Sequence, residues 1–190
     1  QCRACRYPVS EAERADPDAL DPDRISPADY AAEWKWDGVR VQLVCDGGGQ
    51  RLYTRTGDDI STAFPDVLAS SHFSAALDGE LLIRTPEGGV AGFADLQQRL
   101  NRKTVSARAQ VQRPAFLRAY DLLVEEDDDL RSLPFVERRR RLERFVVSLP
   151  QPSRIDLSPL ITFVDAAELE SLRREPPTPE IEGLMLKRWD

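Results

Sequence analysis

Eight consecutive residues, Glu33-Trp34-Lys35-Trp36-Asp37-Gly38-Val39-Arg40, carry the densest chemistry in the chain. On a strand alternate residues share a side, so Glu33, Lys35 and Asp37 are expected to project together. Gly38 lets the backbone turn and a ligand come close. Two carboxylates flanking a lysine could bind a metal, hold an ion pair or orient an amine. A ladder of surface ion pairs, worth little, would show the same spacing. Composition singles the lysine out. Of 26 basic residues only Lys35, Lys103 and Lys187 are lysine, and the other 23 are arginine. Arginine keeps its proton in a protein, so a site that needs a nucleophilic amine must keep lysine.

The elements that would position these residues follow from hydrophobic spacing. Residues 1–29 are rich in Asp and Pro and read as an irregular lead-in, with residues 30–190 as the domain proper. Alternate apolar positions between Glu33 and Cys45 give a strand, Asp46-Gly47-Gly48-Gly49 a hairpin turn, and Arg51 to Thr56 the returning strand. Ile60, Phe64, Val67 and Leu68 have helical spacing, with Asp59 or Ser61 as a cap. Ala75–Ile83 and residues 115–124 read as buried strands, and Phe93, Leu96 and Leu100 as a short helical stripe. Glu125 to Asp129 reads as an acidic loop. Phe135, Leu142, Phe145 and Val146 line a helix whose other face carries Arg138 to Arg141, a solvated face or a phosphate track. Ile155 to Phe163 is expected to be a strand, Ala166 to Arg174 a helix and Ile181 to Arg188 a last strand. Hairpins mixed with short helices point to an α+β fold of antiparallel sheets packed with helices.

The bulk composition narrows the function classes. With 190 residues and 41% hydrophobic content the chain can build a core, which excludes a disordered polymer. No stretch reaches the roughly 20 apolar residues of a membrane span. Three cysteines are too few for a disulfide scaffold, which suits a reducing, cytoplasmic setting. Cys2 and Cys5 have the spacing that opens a zinc site, but only Cys45 and His72 could complete it. The 33 acidic residues leave a net charge of −7, so any contact with nucleic acid must be local.

EWKWDGVR resembles the nucleotide-attachment motif of covalent nucleotidyltransferases, and the surrounding residues are similar to the ATP-dependent DNA ligases, notably bacterial ones. LYTRTGDDIS with FPDV (52–67), LDGELLI (77–83), FADLQQRLNRK (93–103), LRAYDLL (117–123) and EGLMLKR (182–188) resemble further ligase motifs in the same order. The resemblance implies an ATP-grasp-like adenylation domain around a nucleotide cleft, ending before the family's last lysine motif and oligonucleotide-binding barrel. It implies ATP as AMP donor, Mg²⁺ or Mn²⁺, nicked double-stranded DNA as substrate, and a monomer. The alternatives are a non-catalytic nucleotide-binding remnant and an RNA ligase or capping enzyme of the same chemistry.

The roles implied by the resemblance can be set against the chemistry. Lys35 would attack the α-phosphate of ATP and hold AMP as a phosphoramidate, and Glu33 would accept a hydrogen bond from the adenine amino group. Arg40 and Arg55 would contact ribose and phosphate, where a planar guanidinium suits oxyanions. Tyr120 would stack on the purine. Met185 would close its other side or serve as a core methionine. Trp34 is counted with the nucleotide contacts. Glu80, Glu182 and Asp37 would serve the metal, with Glu80 also near the ribose. Lys187 would touch phosphate or stand as an exposed strand lysine. Lys103 reads as structural or facing nucleic acid.

Overall fold

Between Asp37 and Gly38 the chain leaves one sheet and enters another. In the computed structural model, which describes residues 25–100 and 102–190, β1 (Tyr30–Trp36) and β2 (Val39–Asp46) are separate strands of separate sheets. The alternation from Glu33 to Cys45 is therefore two strands rather than one. A side chain at position 38 would put its Cβ 2.6 Å from the Leu81 carbonyl oxygen, so only glycine lets the crossing pass this close.

The larger sheet runs β3 (Gly49–Thr54), β2, β4 (Ala75–Ile83), β5 (Ala115–Glu125) and β6 (Asp128–Asp129), with β7 (Ile155–Leu157) parallel to β5. The other pairings in both sheets are antiparallel. The smaller sheet has the order β8 (Leu160–Ile161), β1, β9 (Ile181–Arg188). The expected strand from Ile155 to Phe163 is split between the two sheets. Pro159, which has no N–H for a ladder, stands at the break. The acidic loop is a hairpin, turning at Glu126 and Asp127, with Glu126 at φ 53°.

Among the described residues the helices are α1 (Pro65–Ala69), α2 (Phe93–Leu100), α3 (Ala107–Gln112), α4 (Phe135–Ser148) and α5 (Ala166–Arg174). The expected helix around Ile60 to Leu68 is interrupted. A 3₁₀ turn covers Ser61–Ala63, and α1 begins afresh with Pro65 at its first position. Asp59 accepts from Ser61 N at 2.9 Å, but Ile60 and Phe64 hold the N-cap positions and neither the turn nor α1 has a side-chain cap, so the cap expected at Asp59 or Ser61 does not form. One face of the larger sheet (Val41, Leu43, Leu77, Leu81, Leu117, Ala119) packs with Phe64, Val67, Leu96 and Leu142 into the main core. The smaller sheet packs Ala32, Leu184 and Leu186 with Leu169 of α5. Among the described residues no helix is long and apolar enough to cross a membrane. Cys2, Cys5 and all of the lead-in before Ile25 lie outside the described residues. Cys45 is a core residue whose thiol burial pushes up to about 12, and His72 is exposed.

Candidate active site

The two sheets face each other with their charged rows. On the larger sheet Arg40 of β2 lies directly across from Glu80 of β4, and Glu80 lies across from Arg118 of β5. Directly paired residues share a face, so these charges form one line. Asp78 sits two residues along β4 and is 2% exposed. It accepts from Arg40 Nε at 3.2 Å and Arg40 Nη2 at 2.5 Å, and from the Tyr120 hydroxyl at 3.4 Å. Burial raises the Asp78 carboxyl above its ordinary range, against the pull of Arg40. Tyr120, 6% exposed, is likewise raised by burial and then by the Asp78 charge.

The smaller sheet supplies the amine. Lys35 lies at a β-bulge between Lys35 and Trp36, across from Gly183, with its ammonium ion-paired to Glu182. Half of its side chain remains exposed, so a ligand can reach it. Glu80 stands near enough across the gap for the Lys35 charge to act on it. Burial pushes the Glu80 carboxyl up to about 8, with Lys35 and Arg40 pulling it down and Asp78 and Asp37 adding to the rise. Asp37 follows β1 and donates its N–H to Glu180 O at 2.8 Å. Glu182 thus pairs with the amine, Glu80 lies within its electrostatic reach, and Asp37 acts on Glu80. Among the described residues, however, no three His, Cys, Asp or Glu side chains converge as a metal cage.

Glu33 is fully enclosed. Its Oε1 accepts from Arg139 Nη1 at 3.0 Å, and its Oε2 is paired with the Lys187 ammonium. Lys187 is not an exposed strand lysine. It donates to Tyr120 O at 3.3 Å and stands 4.4 Å from the Tyr120 ring centroid. Met185 lies across from Glu33 on β9. Trp34 lies across from Leu184, and alternation turns it to the α5 side of the sheet, away from Glu33 and Lys35. Arg55 is exposed on the turn after β3. Thr54, Thr56 and Asp58 tie that turn together (Thr56 Oγ1 to Asp58 at 2.6 Å), and Gly57 takes φ 87° there.

Of the expected residues, the fold joins Glu33, Tyr120, Met185 and Lys187 in one group and Lys35, Asp37, Arg40, Glu80 and Glu182 in its neighbour. Arg139 and Asp78 were not singled out from sequence. The four-arginine run is not simply a solvated face: Arg138 pairs with Asp121, Arg139 with Glu33 and Glu143, and Arg141 with Glu125 and Asp128. Arg139 also falls four residues after Phe135 and three before Leu142, on the apolar stripe of α4. That phase could have marked it.

The chain is similar to known proteins. The family described as "ATP dependent DNA ligase domain" matches residues 14–190. "DNA ligase 2" of Methanosarcina mazei is 30% identical over 174 residues, covering 88% of this chain and 31% of that protein. The "DNA ligase" of Methanothrix thermoacetophila is 32% identical over 162 residues, covering 83% of this chain and 28% of that protein. The chain therefore spans under a third of the length of these relatives. Among solved structures, a "mycobacterial DNA ligase D complexed with ATP and MES" superposes with TM-score 0.69 at 24% identity, over 90% of this chain and 52% of that one.

Proposed function

The chain belongs to the family of ATP-dependent DNA ligase domains, and on that premise we propose that it is an adenylation domain, loading AMP from ATP onto Lys35 and passing it to the 5′-phosphate of nicked duplex DNA. The observation that carries this reading is the Lys35 amine, half-exposed between the sheets, paired to Glu182 and within the electrostatic reach of Glu80.

To react, Lys35 sheds its proton and leaves Glu182. Its lone pair attacks the α-phosphorus, the bond to the bridging oxygen breaks, and pyrophosphate departs with that electron pair. In the second step an oxygen of the DNA 5′-phosphate attacks the same phosphorus and the P–N bond breaks, returning the amine. The 3′-hydroxyl then attacks the activated 5′-phosphate and expels AMP. Arg40, held by Asp78, and Arg55, presented by its tied turn, would meet the phosphate and ribose oxygens. Tyr120 and Met185 would flank the purine, with Glu33 at its amino group. Glu80, half-buried and already within reach of Lys35 and Arg40, would with Glu182 be a source of the one or two carboxylates that a hydrated Mg²⁺ takes while keeping its waters, with Asp37 nearby. That ion would neutralise charge developing on the phosphate.

Incubation with α-labelled ATP and Mg²⁺ should leave an acid-labile label on the protein that survives a denaturing gel. Absence of label from ATP, or label from GTP alone, would refute the reading. Tyr120→Ala should weaken ATP binding by ~1–3 kcal/mol, the usual worth of an aromatic–base stack. Tyr120→Phe keeps the ring, and Asp78 keeps Arg40, so titration should find its ATP affinity close to that of the parent. A large loss in Tyr120→Phe would assign the hydroxyl a role of its own.

A further inference from the structure

The two oxygens of the enclosed Glu33 carboxylate are held by cations of different character. Oε1 is held by Arg139, whose Nε is in turn bonded to Glu143 Oε1 at 2.8 Å, one turn along α4. A planar guanidinium gripped on two sides is a stationary partner. Oε2 is held by Lys187, a compact ammonium on a long flexible stem. That ammonium also covers the Tyr120 ring at 4.4 Å and the Phe135 ring at 4.9 Å. It therefore occupies the aromatic face and the carboxylate oxygen to which the adenylation reading assigns the purine. A base and this ammonium cannot share that place.

We propose that Arg139 is the positioning residue for base selection, holding Glu33 in place and charge-compensated while a 6-aminopurine displaces Lys187 from Oε2 and from the Tyr120 face. The inference rests on the adenylation reading above. The amino N–H takes over the acceptor that Lys187 vacates. A purine without a donor at that position leaves a buried carboxylate oxygen unpaired, and a 6-carbonyl sets acceptor against acceptor. Sites built to bond a substrate N–H reject analogues lacking it for this reason. Removing Lys187 from a buried carboxylate is tolerable only because a second, fixed cation stays behind.

The test is tryptophan-fluorescence titration of the full 190-residue chain with α,β-methylene analogues of ATP, GTP and purine riboside triphosphate, which cannot release pyrophosphate. Wild type should favour the 6-aminopurine. Lys187→Met should tighten binding of the ATP analogue by about 3- to 10-fold, the scale of a desolvated cation–π contact, while keeping the base preference. Arg139→Lys cannot bridge Glu33 and Glu143 together, and should narrow the preference for the amino base over purine riboside by about tenfold. A purely structural Arg139 would lower all three affinities together and leave their ratio alone. Arg139→Met removes the charge and is the harsher variant; if it fails to fold, Arg139→Lys and Lys187→Met still decide. An unchanged base ratio in Arg139→Lys, or weaker ATP-analogue binding in Lys187→Met, overturns the inference while wild-type labelling by ATP stands. No labelling and no amino preference in wild type overturns the adenylation reading and this inference with it.

Discussion

Lys35→Arg is expected to abolish covalent AMP completely while leaving the fold and ATP binding in place. The substitution preserves the positive charge and the ion pair to Glu182, and the side chain is half-exposed. Stability should therefore change by no more than about 0.5 kcal/mol. What disappears is the nucleophile. A guanidinium keeps its proton at any accessible pH and has no lone pair to offer phosphorus. Removing one electrostatic helper typically leaves a rate ~10²–10³-fold lower, which a long incubation still detects. Removing the attacking atom leaves nothing to detect.

The other two lysines sharpen the test. Lys103 stands on the exposed link between α2 and α3, outside the two facing sheets. Lys187 is committed to Glu33 and to the Tyr120 carbonyl. Neither is placed to substitute, so intact mass should find no adduct on Lys35→Arg, and peptide mapping should find the parent's adduct on Lys35 alone. An adduct on the Lys35→Arg protein overturns the assignment.

Much of this was legible in sequence where a run was long and bounded by turn residues. Ala75–Ile83, Ala166–Arg174 and Ile181–Arg188 have the bounds that their spacing indicates. Two runs misled for one reason: local alternation does not say which sheet a strand joins. Gly38 is where β1 gives way to β2 because β4 lies too close beneath for a Cβ, which is a tertiary fact. Ser158 donates its N–H to Ala119 O while Leu160 pairs with Glu33, so neighbouring residues serve different sheets. At the site, Lys35 and its carboxylates announced themselves by type and spacing. Arg139 and Asp78 did not, since one looks like its neighbours in an arginine run and the other like any single polar residue within a buried strand. Their importance comes from partners 106 and 38 residues away in sequence.

Arg99→Met is expected to destabilise the protein by ~3–5 kcal/mol, the usual cost of breaking a buried ion pair from one side. Arg99 and Asp66 belong to the FADLQQRL and FPDV segments, which resemble ligase motifs, and the fold gives them a structural role. The Arg99 side chain is 1% exposed and that of Asp66 6%. Arg99 donates to Asp66 at 2.6 and 2.9 Å, to Ala63 O at 2.7 Å and to Arg113 O at 2.8 Å. Asp66 in turn accepts from Ala115 N at 3.0 Å, at the first residue of β5. The pair thus ties α1, α2 and the start of the strand that carries Arg118 and Tyr120. Methionine fills part of the volume but leaves the Asp66 carboxylate buried with one N–H for company. For a domain of this size the loss should lower Tm by roughly 6–20 °C. Adding Asp66→Leu removes the orphaned charge and should recover part of the loss. Recovery stays incomplete because Ala63 O, Arg113 O and Ala115 N remain without partners. Thermal and urea unfolding of the two variants measure both quantities. A single-variant loss under about 1 kcal/mol would mean that water or a neighbouring cation reaches Asp66. The start of β5, and the Tyr120 face that depends on it, would then be held by sheet pairing alone.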